Sequence, residues 1–210
     1  MEAIEELIET IDNDNIPKLK AIAKSGFDFS QTITVGLEYE IEDPDEISIL
    51  FYAIRNYASI EFIEVLLENG SNINYVDDDG LSTIDIAIKF KRTDVIQLCI
   101  DKGIDINATT RTSGMTPIVV ASCFNNIEIV QLLIDNGAEV NAQDKIGMSC
   151  KDYAKKLGQK KMLAFLHEKG AKYNRYVADA QREAQEEQTA KQGDMNNRPT
   201  PTDDMGFDSI

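Results

Sequence analysis

The sequence predicts an all-α repeat solenoid: about five helix–turn–helix units side by side, joined through short β-hairpin tips and followed by a disordered acidic tail. Three observations predict it. Ala53, Ala87 and Ala121 recur 34 residues apart, and Ala154 follows 33 later. Gly70, Gly103, Gly137 and Gly170 recur at steps of 33, 34 and 33. Each of the first three glycines precedes a similar run, Ser71-Asn72-Ile73-Asn74, Ile104-Asp105-Ile106-Asn107 or Ala138-Glu139-Val140-Asn141, before a second glycine at Gly80, Gly114 or Gly147. A fixed period near 33 with two short helices per period is the signature of a stacked array.

The stretch from Gly114 to Asp144 is the most complete unit. Thr116-Pro117 opens a first helix with Ile118, Val119 and Ala121, and proline stands where its missing N–H costs least. A second helix carries Ile127, Ile129, Val130, Leu132, Leu133 and Ile134, and Gly137 follows where a left-handed cap needs no side chain. Helices this short cannot bury their apolar faces alone, so the unit needs neighbours. Thr116-Pro117-Ile118-Val119-Val120-Ala121 resembles the Thr-Pro-Leu-His-x-Ala box of ankyrin repeats. Ser48–Ala53, Ser82–Ala87 and Ser149–Ala154 resemble it more loosely. No unit keeps the family's histidine, which ties the turn to the next repeat. The resemblance covers about residues 2–173.

In chain order, residues 2–12 and 16–24 read as a helix pair from Ile4, Leu7, Ile8 and Ile11 and from Ile16-Pro17, with Gly26 ending the second helix. This is a diverged N-terminal cap, because an end unit has one face in water. The units fall at about 1–30, 45–76, 77–110, 111–144 and 145–173, the last being the C-terminal cap. About residues 31–44 are an insertion, since Gly26 to Gly70 is 44 residues. Ile33, Val35, Leu37, Tyr39 and Ile41 alternate there at a strand period, which predicts an enlarged hairpin. Ala53 to Gly70 is 17 where the other units show 16, and Tyr57 reads as the extra residue. Residues 174–210 form the disordered acidic tail, with 4 Lys and Arg against 8 Asp and Glu. Its last stretch, Met205-Gly206-Phe207-Asp208-Ser209-Ile210, sets apolar side chains on a polar segment.

A net charge of −16 argues against a direct nucleic-acid or anionic-membrane surface and favours a basic partner or simple solubility. The start is acidic and no window approaches a membrane span of about 20 apolar residues, so the expectation is a cytoplasmic protein. Cys99, Cys123 and Cys150 follow the repeat, not a disulfide or metal-ligand spacing. His167 is the only histidine, and no Gly-rich phosphate loop occurs. Asp77-Asp78-Asp79-Gly80 lacks the dozen-residue spread and terminal Glu of a calcium loop. The reading is a non-enzyme with no catalytic residue, cofactor or metal.

The ankyrin resemblance implies a protein-binding scaffold that meets its partner on the concave side, through hairpin tips and exposed inner-helix positions. Those positions here are Arg55 and Asn56; Tyr75, Asp78, Asp79 and Leu81 with Lys89 and Phe90; Arg111, Thr112, Ser113 and Met115 with Cys123 and Phe124; and Gln143, Lys145, Ile146 and Met148. Phe90, Phe124 and Leu157 hold one place in successive units, an apolar row suited to binding or to packing between units. The expected protein is a free monomer acting as adaptor or inhibitor of one protein partner. The alternative is an acidic immunity-type inhibitor or nucleic-acid mimic that blocks a basic protein.

Overall fold

The computed structural model describes residues 2–35 and 45–176, with single residues 181, 182, 185, 186 and 189 of the tail. Among them it contains five helix pairs. These are α1 (Glu2–Asp12) with α2 (Ile16–Lys24), α3 (Ile49–Arg55) with α4 (Ile60–Glu68), α5 (Thr83–Lys89) with α6 (Thr93–Asp101), α7 (Pro117–Cys123) with α8 (Ile127–Asp135), and α9 (Cys150–Lys156) with α10 (Lys160–Glu168). The predicted all-α repeat solenoid is the fold observed. A small antiparallel pair, β1 (Thr32–Val35) with β2 (Asp45–Ser48), runs in register from Thr32 opposite Ser48 to Val35 opposite Asp45. The first strand falls within the predicted insertion. Its partner lies in the stretch read as the start of the second unit, where Asp45-Glu46 hid the period. Leu37, Tyr39 and Ile41 lie outside the described residues.

Local chemistry explains the helix ends. The Ser48 hydroxyl accepts from Phe51 N at 3.1 Å at the start of α3. Ser82 with Asp85, and Ser149 with Asp152, form reciprocal capping boxes that satisfy two orphan donors each. Each pair then reverses through one left-handed residue: Asp14, Tyr57, Lys91, Asn125 or Gly158, with φ between 48° and 67°. The amide after it returns to the fifth residue back, as in Ala58 N to Ala53 O and Arg92 N to Ala87 O. Tyr57 therefore sits at the ordinary turn position. The extra residue of the second unit is Ser59, an added N-cap whose hydroxyl accepts from Phe62 N. Spacing alone located that insertion to within two residues.

The core runs unbroken from Leu7 to Ala171. Ala53, Ala87, Ala121 and Ala154 are each fully buried, as helices in close lateral contact require. The seven-residue helices α5 and α7 have neighbours on both sides and an outer helix behind. Thr83–Ile88 of α5 and Pro117–Ser122 of α7 are buried without a gap. These inner helices reach solvent only at their ends, about 10 Å apart at 1.5 Å per residue.

Candidate partner-binding surface

That burial divides the predicted row in two. One edge carries the hairpin tips, where the inner helices begin. The other carries the turns, where they end.

The tips are tight turns held by carboxylates. Asp77 Oδ1 accepts from Leu81 N at 2.7 Å, and Asp144 Oδ1 accepts from Ile146 N and Met148 N at 3.0 and 2.8 Å. Asp77 is therefore committed to its own turn. Among the described residues no group of three or more His, Cys, Asp or Glu could hold a metal ion. Adjacent tips are also tied sideways. The Thr110 hydroxyl donates to Gly80 O at 2.7 Å, and Lys145 N donates to Ser113 O at 3.0 Å. The approach is close enough to demand glycine. At Gly80, with φ +79°, an added Cβ would lie 2.6 Å from Thr110 O; at Gly114 it would lie 2.8 Å from Lys145 Cγ. The fourth unit's tip has one residue more than its neighbours and lacks the bridge seen at Val76–Ser82 and Gln143–Ser149.

Aspartate does the work of the missing histidine. Asp85 Oδ1 accepts from Arg111 Nε of the next unit at 2.8 Å, with both side chains largely buried. Asp152, fully buried, accepts from the backbone amides of Asn174, Arg175 and Tyr176 at 3.1–3.2 Å as well as from Ser149. Burial alone would raise this carboxyl; the donors from Ser149, Asn174 and Tyr176 outweigh burial and hold it below the ordinary carboxylate range. Asparagines after the helix-ending glycines add further ties. Asn107 donates to Gly137 O and accepts from Glu139 N, and Asn141 accepts from Lys172 N.

On the tip edge, Asp78, Asp79, Thr112, Ser113, Gln143 and Lys145 are exposed, and Ile146 is 60% exposed. Leu81 and Met115 are half-buried against the core, and Tyr75 packs edge-on to Phe51 at 5.1 Å. Two residues differ from expectation. Met148 is 6% exposed because it lies under its own turn, and Arg111 is spent on Asp85. On the turn edge, Arg55, Asn56 and Lys89 are exposed, Phe124 is 47% exposed, and Phe90 is half-buried with its ring edge-on to Tyr57 at 6.5 Å. Cys123 is half-buried, and burial pushes its thiol up to about 11. The buried thiols of Cys99 and Cys150 are pushed up to about 12 and about 11 for the same reason, which leaves all three poor nucleophiles. Lys151, 2% exposed, was missed by sequence reading: its Nζ lies 3.3 Å from His167 Nδ1 and 4.6 Å from the Tyr173 ring centre.

The family model described as ankyrin repeats (many copies) matches residues 50–98 and 84–134. Residues 50–134 of the chain are thus ankyrin repeats. A stretch of 61 residues is 38% identical to the fowlpox virus (strain NVSL) protein named Putative ankyrin repeat protein FPV233. That match covers 29% of this chain and 12% of the viral protein, so the chain corresponds to a small part of that relative. Ankyrin repeats are in general protein-interaction modules and not catalysts. No helix among the described residues is long and apolar enough to cross a membrane.

Proposed function

We propose that this ankyrin array is a non-catalytic adaptor or inhibitor that holds one protein partner along its tip edge. The observation that carries the reading is the tied tip row. Turns locked by Asp77 and Asp144, and joined through Thr110–Gly80 and Lys145–Ser113, present side chains without needing to be ordered on binding. Ordering an interface costs about 0.5–1.5 kcal/mol per immobilised side chain, so a fixed row starts with an advantage. The exposed side chains are acidic at Asp78 and Asp79, basic at Lys145 and apolar at Ile146. Such a mixture suits one specific partner better than a general polyanion.

The test uses a partner captured from the native cell. Its affinity is measured for Lys145→Ala with Ile146→Ala, and separately for Glu128→Ala with Gln131→Ala on α8. The tip pair should weaken binding at least tenfold and the outer-helix pair should leave it unchanged. The reverse pattern would sink the reading. The exposed Asp78-Asp79 pair and the charge of −16 favour one second reading, an acidic mimic that blocks a basic protein. Mimicry predicts steep loss of affinity as salt rises through the range where the Debye length falls below about 8 Å; apolar anchoring at Ile146 does not.

A further inference from the structure

The turn edge is unlike the rest of this acidic protein. Phe90, Phe124 and Leu157 are the residues immediately after α5, α7 and α9, and Tyr57 stands one place further on after α3. The four inner helices lie side by side, so these side chains form a row. Three of the five exposed large hydrophobic side chains among the described residues are in it: Tyr57 at 65%, Leu157 at 51% and Phe124 at 47%. Tyr57 also holds a left-handed backbone, φ 58°, where a bulky side chain is strained and glycine is not. Burial does not repay that strain.

Cations flank the row. Arg55, Lys89, Lys91 and Lys156 are all exposed, and none of them has an ion-pair partner among the described residues. Lys160 and Lys161 extend the cluster at the start of α10. Three of the nearby acids are engaged elsewhere, Asp94 with Arg92 at 2.7 Å, Asp14 with Ser59, and Asp12 with the Tyr52 hydroxyl, while Glu128 in the first turn of α8 is exposed. The result is an apolar row between positive charges.

We propose that this row is the docking site of the chain's own segment Asp203–Ile210. That segment interleaves Asp203, Asp204 and Asp208 with Met205, Phe207 and Ile210, the complement of an apolar row lined by cations. Exposed acids are prominent on the other surfaces. The tip edge carries Asp78 and Asp79, and the outer helices carry Glu61, Glu64, Glu128 and Asp135. The reach fits as well. Asp152 fixes the chain at Asn174–Tyr176, at the first turn of α9. From there Phe90 is about 20 Å away, one helix length of about 10 Å taken at right angles to two helix spacings of about 8–10 Å. The link from Tyr176 to Asp203 has about 27 residues, and at up to about 3.3 Å per residue its full extension far exceeds that distance. A tether able to span its site gives an effective concentration on the order of 1 mM, at which a contact with a dissociation constant of about 0.1 mM is about nine-tenths occupied. This docking is independent of the partner reading and is read out in the protein alone.

The experiment is photo-crosslinking in the full chain with p-benzoylphenylalanine in place of Phe207, followed by digestion and mass spectrometry. The expected result is an intramolecular adduct on residues 89–91, 123–125 or 156–158, at a yield independent of protein concentration. The same chain carrying Phe124→Asp and Leu157→Asp, both exposed positions, should melt like the parent and lose adduct yield about tenfold, the factor that loss of a modest contact produces. Adducts on the tips, scattered adducts, or adducts that join two copies and rise with concentration would each overturn the proposal. So would no adduct at all.

Discussion

The two edges of the array are built from the same inner helices and finish in opposite ways. At the tips, four buried or half-buried carboxylates are spent inside the chain: Asp77 and Asp144 on their turns, Asp85 on Arg111, Asp152 on three following amides. At the turns, charged and aromatic side chains stand outward, while Arg92, Gln159 and Asp14 reach across to a neighbour's backbone or cap. The difference teaches that rigidity and exposed binding chemistry need not coincide along a repeat. One edge is fixed by polar groups that are already satisfied. The other exposes apolar rings and cations without an ion-pair partner among the described residues, as at Tyr57, Phe124, Arg55 and Lys91.

The largest test of this contrast removes a tip-edge carboxylate. Asp152→Ala should cost about 2–4 kcal/mol in urea unfolding, because several donors lose a charged acceptor together. The pH dependence follows from the lowered carboxyl. A folded value below the unfolded 3.8 contributes stability that is fully present above pH 3.8 and is lost as pH falls towards the folded value. The gap between the parent and Asp152→Asn should therefore be widest near pH 7 and narrow below about pH 4. A gap that stays constant through acid would mean that the Asp152 charge does not hold the clasp.

A smaller effect is expected from the tip contacts themselves. Gly80→Ala meets Thr110 O at 2.6 Å from a left-handed backbone, and should cost about 1–3 kcal/mol on melting. A neutral result would mean that the tips slide past one another and are not a fixed row. The smallest effect belongs to the turn edge. Tyr57→Gly relieves a left-handed tyrosine that is 65% exposed and should change stability by less than about 1 kcal/mol, in the stabilising direction. A clear loss would make the Tyr57–Phe90 contact a structural joint and erase the contrast between the edges.

Much of the fold was legible because it rests on local, repeated chemistry. The helix pairs α7–α8 and α1–α2 follow from apolar spacing and from the glycines that end them. The partition of the candidate surface was not legible. Whether Ile86 or Val120 is exposed depends on neighbours 34 residues away on each side, and an amphipathic pattern vanishes in a helix covered all round. Met148 looked like a tip residue because its position in the sequence is a turn; its burial comes from the fold of that turn. Asn107 and Asn141 were visible as repeat markers, but their roles depend on carbonyls and amides about 30 residues away. The Asp152 clasp needed the path of residues 174–176, which no periodicity records.

That clasp bears on how long the array can be. Asn174 Nδ2 donates to Gly147 O, the same carbonyl position that Thr110 serves at Gly80. Residues 172–176 thus stand where the tip of a sixth unit would begin, and they satisfy the groups such a unit would use. The series has a built-in terminator. A duplicated unit spliced in before this segment would inherit the terminator at its own end only if it brought an aspartate equivalent to Asp152. A copy of the fourth unit, with Val119 at that place, would not.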